Sequence, residues 1–203
     1  MYLSQLNLKR MDRTAMKVLA DVYRLHQLLM KGFAAYSSTD RVLYRVEPEE
    51  RNGQVTVLVQ SLQIPDWSCF TDVNSGVASA KVKDFSTTFK AGDTFDFRLR
   101  ANPVVTRDGK RHGLIRDESL LEWLGKKEKT IGVRFCSMSV IDEGYVTGTK
   151  GYHEKQHRMS LKVARFEGRL EVVEPTVFQI AFSSGIGAAK AFGFGLLSLV
   201  RRC

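Results

Sequence analysis

Tyr23 and His26 stand three residues apart in DVYRLHQLLMKGF, a spacing that makes their side chains neighbours on one face of a helix. Imidazole titrates near neutral pH, so beside a phenol it can take or give a proton during a reaction. Helical periodicity puts Tyr23, His26 and Met30 at the border of the buried stripe, a position that equally describes a histidine that only packs. A second pattern, HEKQH at 153–157, spells the H-E-x-x-H zinc motif. That chemistry needs both histidines on one face of a helix. Here Gly148 and Gly151 precede the motif and strand-like MSLKVARF follows, so the segment reads as a basic hairpin tip carrying Lys150, Lys155 and Arg158. The remaining histidines, His26 and His112, supply no recognisable third ligand, and no metal site is expected. Glu47, Glu49 and Glu50 sit at a turn, and no carboxylate cluster resembles a two-metal nuclease site. A nucleic acid cut by this chain would therefore be cut without metal, a route RNA permits because its 2′-OH is a built-in nucleophile.

The chain nearly ends with GIGAAKAFGFGLLSLV, residues 185–200. Glycine-rich backbone can turn several N–H groups toward one anion. The dinucleotide fingerprint, however, requires a helix directly afterwards and a third glycine where this chain has Lys190. No nucleotide or other small-molecule cofactor is expected. Two readings of Gly185, Gly187, Gly193 and Gly195 stay open. In one they present backbone and Lys190 toward a groove between two halves of the protein; in the other they permit a tight helix-to-strand connection. Phe192 and Phe194 read as core.

The elements that must hold these residues follow from periodicity. A strand is expected over Tyr2–Lys9, and a single long helix from an Asp12 N-cap to about Lys31, stopped by Gly32. Val18, Val22, Leu25 and Leu29 form its buried stripe. RVLYRVE (41–47) and QVTVLVQSL (54–62) alternate, with Val42, Tyr44, Val46 and Val55, Val57, Val59 inward, and Asn52-Gly53 predicts the hairpin between them. A short helical segment near Pro65–Thr71 and a strand near Ser79–Phe85 complete β-α-β-β-α-β, the ferredoxin-like order. The order then repeats. TFDFRLR (94–100) is a strand with Phe95, Phe97 and Leu99 inward, and 117–127 is a short helix. Long strands at 131–147 and 159–173 are joined by a polar turn at 147–158. A helix from Pro175 to about Ser184 and a last strand close the chain. The fold class is α+β, with two tandem ferredoxin-like domains expected at 1–90 and 91–203.

Composition agrees with a folded domain that meets a polyanion. Thirty-one Lys and Arg against 22 Asp and Glu give a net charge of +9 over 203 residues, with a pI near 9.6. The basic excess is distributed over both halves, as on a folded basic face rather than a tail. No apolar stretch reaches the ~18 residues of a membrane span. The N-terminus lacks a signal-peptide core, and Cys69, Cys136 and Cys203 form no CxxC pair, so a cytoplasmic protein without a membrane partner is expected.

Three stretches occurring in order carry a resemblance: the opening strand and helix with Tyr23 and His26, FRLRANPV (97–104) followed by KRHGL (110–114), and GIGAAKAFGFGLL. Together, over nearly the whole chain, they resemble the CasE family, the CRISPR repeat-RNA endoribonucleases of the type I-E Cascade complex within the repeat-associated (RAMP) superfamily. The resemblance implies two ferredoxin-like (RAMP/RRM-like) domains. It implies a protein that binds the repeat stem-loop of precursor CRISPR RNA and cuts at the 3′ base of the stem. In that reaction the 2′-OH attacks the adjacent phosphate, leaving a 2′,3′-cyclic phosphate and a 5′-OH. The product stays bound for assembly with other Cascade subunits. Carried over residue by residue, His26 is base or acid, Tyr23 orients the 2′-OH or phosphate, and Lys31 stabilises the phosphorane. Arg158 and Lys155 contact the RNA stem, and the glycine loop with Lys190 lies near RNA or packs the domain interface. The alternative from another class is a RAMP-type subunit that clamps guide RNA without cutting it.

Overall fold

The computed structural model describes residues 1–9, 12–33, 41–48, 53–70 (Cys69 by its backbone alone), 76–151 and 157–201. Contacts divide the chain into two compact units. The first comprises Met1–Ser86, Val146–Ser160 and Ala191–Gly193; the second comprises Thr87–Tyr145, Leu161–Lys190 and Phe194–Cys203.

In the first unit, strand β1 (Tyr2–Lys9) leads into two short helices, α1 (Arg13–Leu19) and α2 (Val22–Met30), followed by β2 (Val42–Val46), β3 (Gln54–Ser61) and β4 (Val77–Asp84). The sheet runs in the order β2-β3-β1-β4, the ferredoxin-like arrangement. Antiparallel register places Leu6 opposite Val57, Leu8 opposite Val55, and Tyr44 opposite Val59. With period 2, these side chains share one face. Leu25 and Leu29 of α2 and Ala15 of α1 belong to the same core, together with Phe33, Trp67 and Phe70.

The single long helix expected from Asp12 to Lys31 is two. Asp12 caps the first as expected, accepting from Thr14 N and Ala15 N. Asp21 then adopts an extended conformation (φ −135°, ψ 109°) and caps the second. The stripe runs unbroken through the sequence because α1 and α2 both pack on one core, so periodicity alone hides the break. Two further expectations shift. The segment near Pro65–Thr71 holds a single 3₁₀ turn, Ser68–Phe70, and β2 and β3 bury both faces, with Leu43, Arg45, Thr56 and Gln60 also buried. Asn52, expected at the intervening hairpin, lies outside the described residues, as do Glu49 and Glu50.

The second unit repeats the order. β5 (Thr94–Ala101) is followed by a hairpin of β6 (Val104–Arg107) and β7 (Lys110–Gly113), then α3 (Asp117–Gly125) and α4 (Glu128–Ile131). β8 (Val133–Lys150), β9 (His157–Val172), α5 (Pro175–Ser184) and β10 (Leu197–Arg201) complete it. Its sheet runs β10-β5-β9-β8, the same arrangement again, so the tandem ferredoxin-like fold expected from the sequence is the fold observed. The β6–β7 hairpin has no sequence-based expectation behind it; Asp108 and Gly109, both at positive φ, make its turn. Phe95 and Leu99 face inward as expected, and Phe89 packs on Phe95, Phe178 and Phe182 with ring centroids 5.7, 4.5 and 5.3 Å away. The long strands reach further than expected: β8 extends to Lys150 and β9 starts at His157, which shortens the polar turn at 147–158.

The pairing of FRLRANPV with the glycine loop has a structural basis. β10 pairs with β5, and Gly195 N donates to Arg100 O at 2.9 Å as the loop crosses that strand. At Gly195, φ is +88° and a Cβ would lie 2.8 Å from Ile186 O, so both the conformation and the space exclude a side chain. Asn102 of the same motif is buried and donates to Lys162 O at 2.8 Å.

Candidate active site

A cleft of about 930 Å³ opens in the first unit beside α2. Thr14, Tyr23, Arg24, His26, Gln27, Lys31 and Lys150 supply its polar lining, with Phe192 among the apolar residues. Four of the residues singled out in the sequence thus line one cavity: Tyr23 and His26 from the helix, Lys31 from its C-terminal end, and Lys150 from the last position of β8.

α2 sets the geometry. Val22, Leu25 and Leu29 are buried, which leaves Tyr23, His26 and Met30 half-buried at the edge of the helix, as the periodicity predicts. Phe192, expected in the core, instead stands at the cleft with its ring edge-on to His26, centroids 6.0 Å apart. Phe194 is fully buried. The glycine loop therefore contributes to the cleft through Phe192, a residue that the sequence reading had placed elsewhere.

Burial lowers the pKa of His26 below the ordinary imidazole value, because desolvation penalises the charged ring. Its Nδ1 is buried and has no hydrogen-bond partner among the described residues. Buried polar atoms in folded proteins nearly always have a partner, and the exceptions include groups with a catalytic role. A neutral imidazole beside a phenol and two lysines can move a proton next to a stabilised anion.

Lys150 is held at the cleft by the strand before it. Gly148 packs so closely on the start of α2 that a Cβ would lie 2.9 Å from Val22 Cγ2 and 3.2 Å from Tyr23 N. Thr149 N donates to Asp21 Oδ2 at 3.0 Å. Arg158 is exposed on β9 and is not part of the cleft lining. Lys155 lies outside the described residues, as do His153 and Glu154 of the HEKQH segment, whose His157 opens a strand rather than a helix. Among the described residues no group of three or more His, Cys, Asp or Glu side chains could hold a metal ion.

Lys190 donates through Nζ to Ser184 O at the end of α5, 2.9 Å away. Gly185 N donates to Ala181 O, and Gly195 N to Arg100 O, both at 2.9 Å. Those two amides serve the loop's own fold. Gly187 faces the Trp123 ring and Gly193 the Tyr44 ring, with a Cβ at 3.1 and 2.9 Å respectively.

Two ferredoxin-like halves and a histidine–tyrosine–lysine cleft define a tandem α+β protein equipped for proton transfer beside an anion. Comparison with known proteins makes this specific. A family model described as CRISPR associated protein matches residues 1–201. The CRISPR-associated endoribonuclease Cse3 of Thermus thermophilus is 32% identical, over 98% of this chain and 99% of its own. The Cascade subunit CasE of Escherichia coli is 31% identical, over 88% of this chain and 92% of its own. A solved structure of the CRISPR endoribonuclease Cse3 bound to a 19-nucleotide RNA superposes with a TM-score of 0.87 at 31% identity, covering 98% of this chain and 100% of that one. The chain belongs to the CRISPR-associated protein family and, within it, to the CasE group of type I-E Cascade. Among the described residues no helix is long and apolar enough to cross a membrane.

Proposed function

We propose that this protein is a CRISPR repeat-RNA endoribonuclease that cuts precursor CRISPR RNA at the 3′ base of the repeat stem and keeps the product for Cascade. The observation that carries the reading is the cleft in which Tyr23, His26, Lys31 and Lys150 converge. The near full-length likeness to an endoribonuclease and to its RNA complex supports it.

In this mechanism neutral His26 takes the proton from the 2′-OH as that oxygen attacks the adjacent phosphorus. The bond to the 5′ oxygen breaks, leaving a 2′,3′-cyclic phosphate and a 5′-OH. His26 is assigned the base rather than the acid because burial favours its neutral form. Tyr23 orients the 2′-OH or the phosphate, and the ammonium groups of Lys31 and Lys150 offset the negative charge that grows on the phosphorane. No step calls for a metal, and the enzyme acts in the cytoplasm beside other Cascade subunits. Arg158, on β9, and Lys155 hold the stem. The domain of residues 1–90 supplies Tyr23, His26 and Lys31, and that of residues 91–203 supplies Lys150, the long hairpin and the glycine loop.

Cleavage of a labelled repeat stem-loop in EDTA tests the reading. Wild-type protein cuts the all-ribose RNA and leaves unchanged an RNA with a single 2′-deoxy at the scissile nucleotide. His26→Ala slows cutting by about 10²–10⁴-fold, the usual worth of a general base, while still binding. Undiminished cutting by His26→Ala would overturn the assignment, and tight binding without cutting by the wild type would leave a clamp.

A further inference from the structure

Asp21 stands where α1 ends and α2 begins, and both of its carboxylate oxygens are engaged. Oδ1 accepts from Tyr23 N at 2.9 Å and from Arg24 N at 3.1 Å, which fixes the first turn of the helix that carries Tyr23 and His26. Oδ2 accepts from Thr149 N at 3.0 Å, on the strand whose next residue is Lys150. An N-cap needs only one side-chain oxygen, and serine or asparagine serves as well as aspartate. The second oxygen therefore does something that capping does not require.

Gly148 completes the arrangement from the other side. A Cβ there would meet Val22 Cγ2, Tyr23 N and Asp21 Oδ1 at 2.9, 3.2 and 3.4 Å. Bare backbone lets β8 lie against the start of α2, and Asp21 ties it there. The same carboxylate thus fixes the helix that supplies His26 and the strand end that supplies Lys150, two residues lining one cleft.

We infer that Asp21 is a positioning residue for RNA cleavage: with Gly148 it forms a clasp that holds Lys150 at the phosphate beside His26. The inference rests on the cleft being the cleavage site. Misplacing a catalytic group by about 1 Å can cost 10²-fold in rate, so the clasp acts on the chemical step more than on RNA affinity. Electrostatics alone points the opposite way, because removing a carboxylate near a bound polyanion should help.

The full chain is tested with single-turnover cleavage of the repeat stem-loop, and with binding of the 2′-deoxy RNA measured separately. Asp21→Ser keeps an oxygen for the cap and loses the one for Thr149. Asp21→Asn keeps one acceptor but sets an NH₂ against a backbone N–H. Gly148→Ala pushes the strand away and leaves Asp21 intact. Each is expected to cleave about 10- to 100-fold more slowly, with binding within about threefold of wild type. Lys150→Ala is expected to be slow too, and adding Asp21→Ser or Gly148→Ala to it should slow it little further, since residues acting as one unit are not additive. Asp66→Ala, which removes a carboxylate that accepts from Ser68 N and lines no part of the cleft, should cut at the wild-type rate.

Wild-type rates in folded Asp21→Ser and Gly148→Ala would overturn the clasp, and so would full additivity with Lys150→Ala or a Lys150→Ala that cuts normally. Should Asp21→Ser not fold, the Gly148→Ala and Asp21→Asn arms decide. His26→Ala run alongside separates the two failures. If it is inactive while the clasp variants are normal, only the clasp falls; if it cuts normally, the site reading falls and the clasp with it.

Discussion

Phe192 stands edge-on to the His26 ring, and burial lowers the imidazole pKa below its ordinary value. The sign of the consequence follows directly. A base must be neutral to act, so the cleavage rate should rise with pH and level off at a lower pH than a solvated histidine would give. Phe192→Ala re-admits water, stabilises the charged ring and should move that rise toward higher pH. Single-turnover rates measured across pH for wild type and Phe192→Ala check this, and an unmoved midpoint removes Phe192 as the cause. The role of Phe192 was not legible in the sequence, where an aromatic residue between glycines reads as core. The border position of Tyr23 and His26 was legible, because it depends only on local helical geometry. The company of Lys150 was not, since it depends on a contact between segments far apart in the chain.

The glycine loop shows why an element can be recognised before it is understood. Its glycines admit an anion cradle or a tight connection, and only the neighbours distinguish the two. At Gly195 the neighbours are Ile186 O and Arg100 O, and the backbone lies at φ +88°. Gly195→Ala should therefore lower stability by about 1–3 kcal/mol, the cost of a side chain held in a sparsely populated backbone region. A lower urea midpoint with an unchanged slope would report this, and an unchanged midpoint would mean the loop relaxes freely. The strands were the most legible elements: alternation in TFDFRLR fixes which side chains face the core, and QVTVLVQSL marks a strand although that strand buries both faces. The break at Asp21 was the least, because the apolar spacing of Val18 and Val22 carries straight across it. What marks the break is a second capping aspartate inside an apparently continuous helix, a signal that competes with periodicity and is easily outvoted by it.

At the scale of the molecule, the +9 charge matters less than where it is left unpaired. The arginines of the second sheet are largely neutralised: Arg98, Glu167, Arg165, Glu143 and Arg100 form one chain of ion pairs at 2.8–2.9 Å. Lys31, Lys150 and Arg158 make no ion pair among the described residues, and all three are exposed. Phosphate binding by a cation releases counterions, so each such contact steepens the fall of affinity with salt. A cation already held by a carboxylate releases few. Arg158→Ala should therefore weaken binding of the 2′-deoxy repeat RNA and reduce the slope of log affinity against log salt by about one. Arg98→Ala, which removes a cation of the same formal charge, should leave that slope nearly unchanged. Titrations at several salt concentrations distinguish them. Equal slopes for both variants would mean that total charge governs RNA binding; a change confined to Arg158 would mean that the hairpin arm meets the phosphates directly.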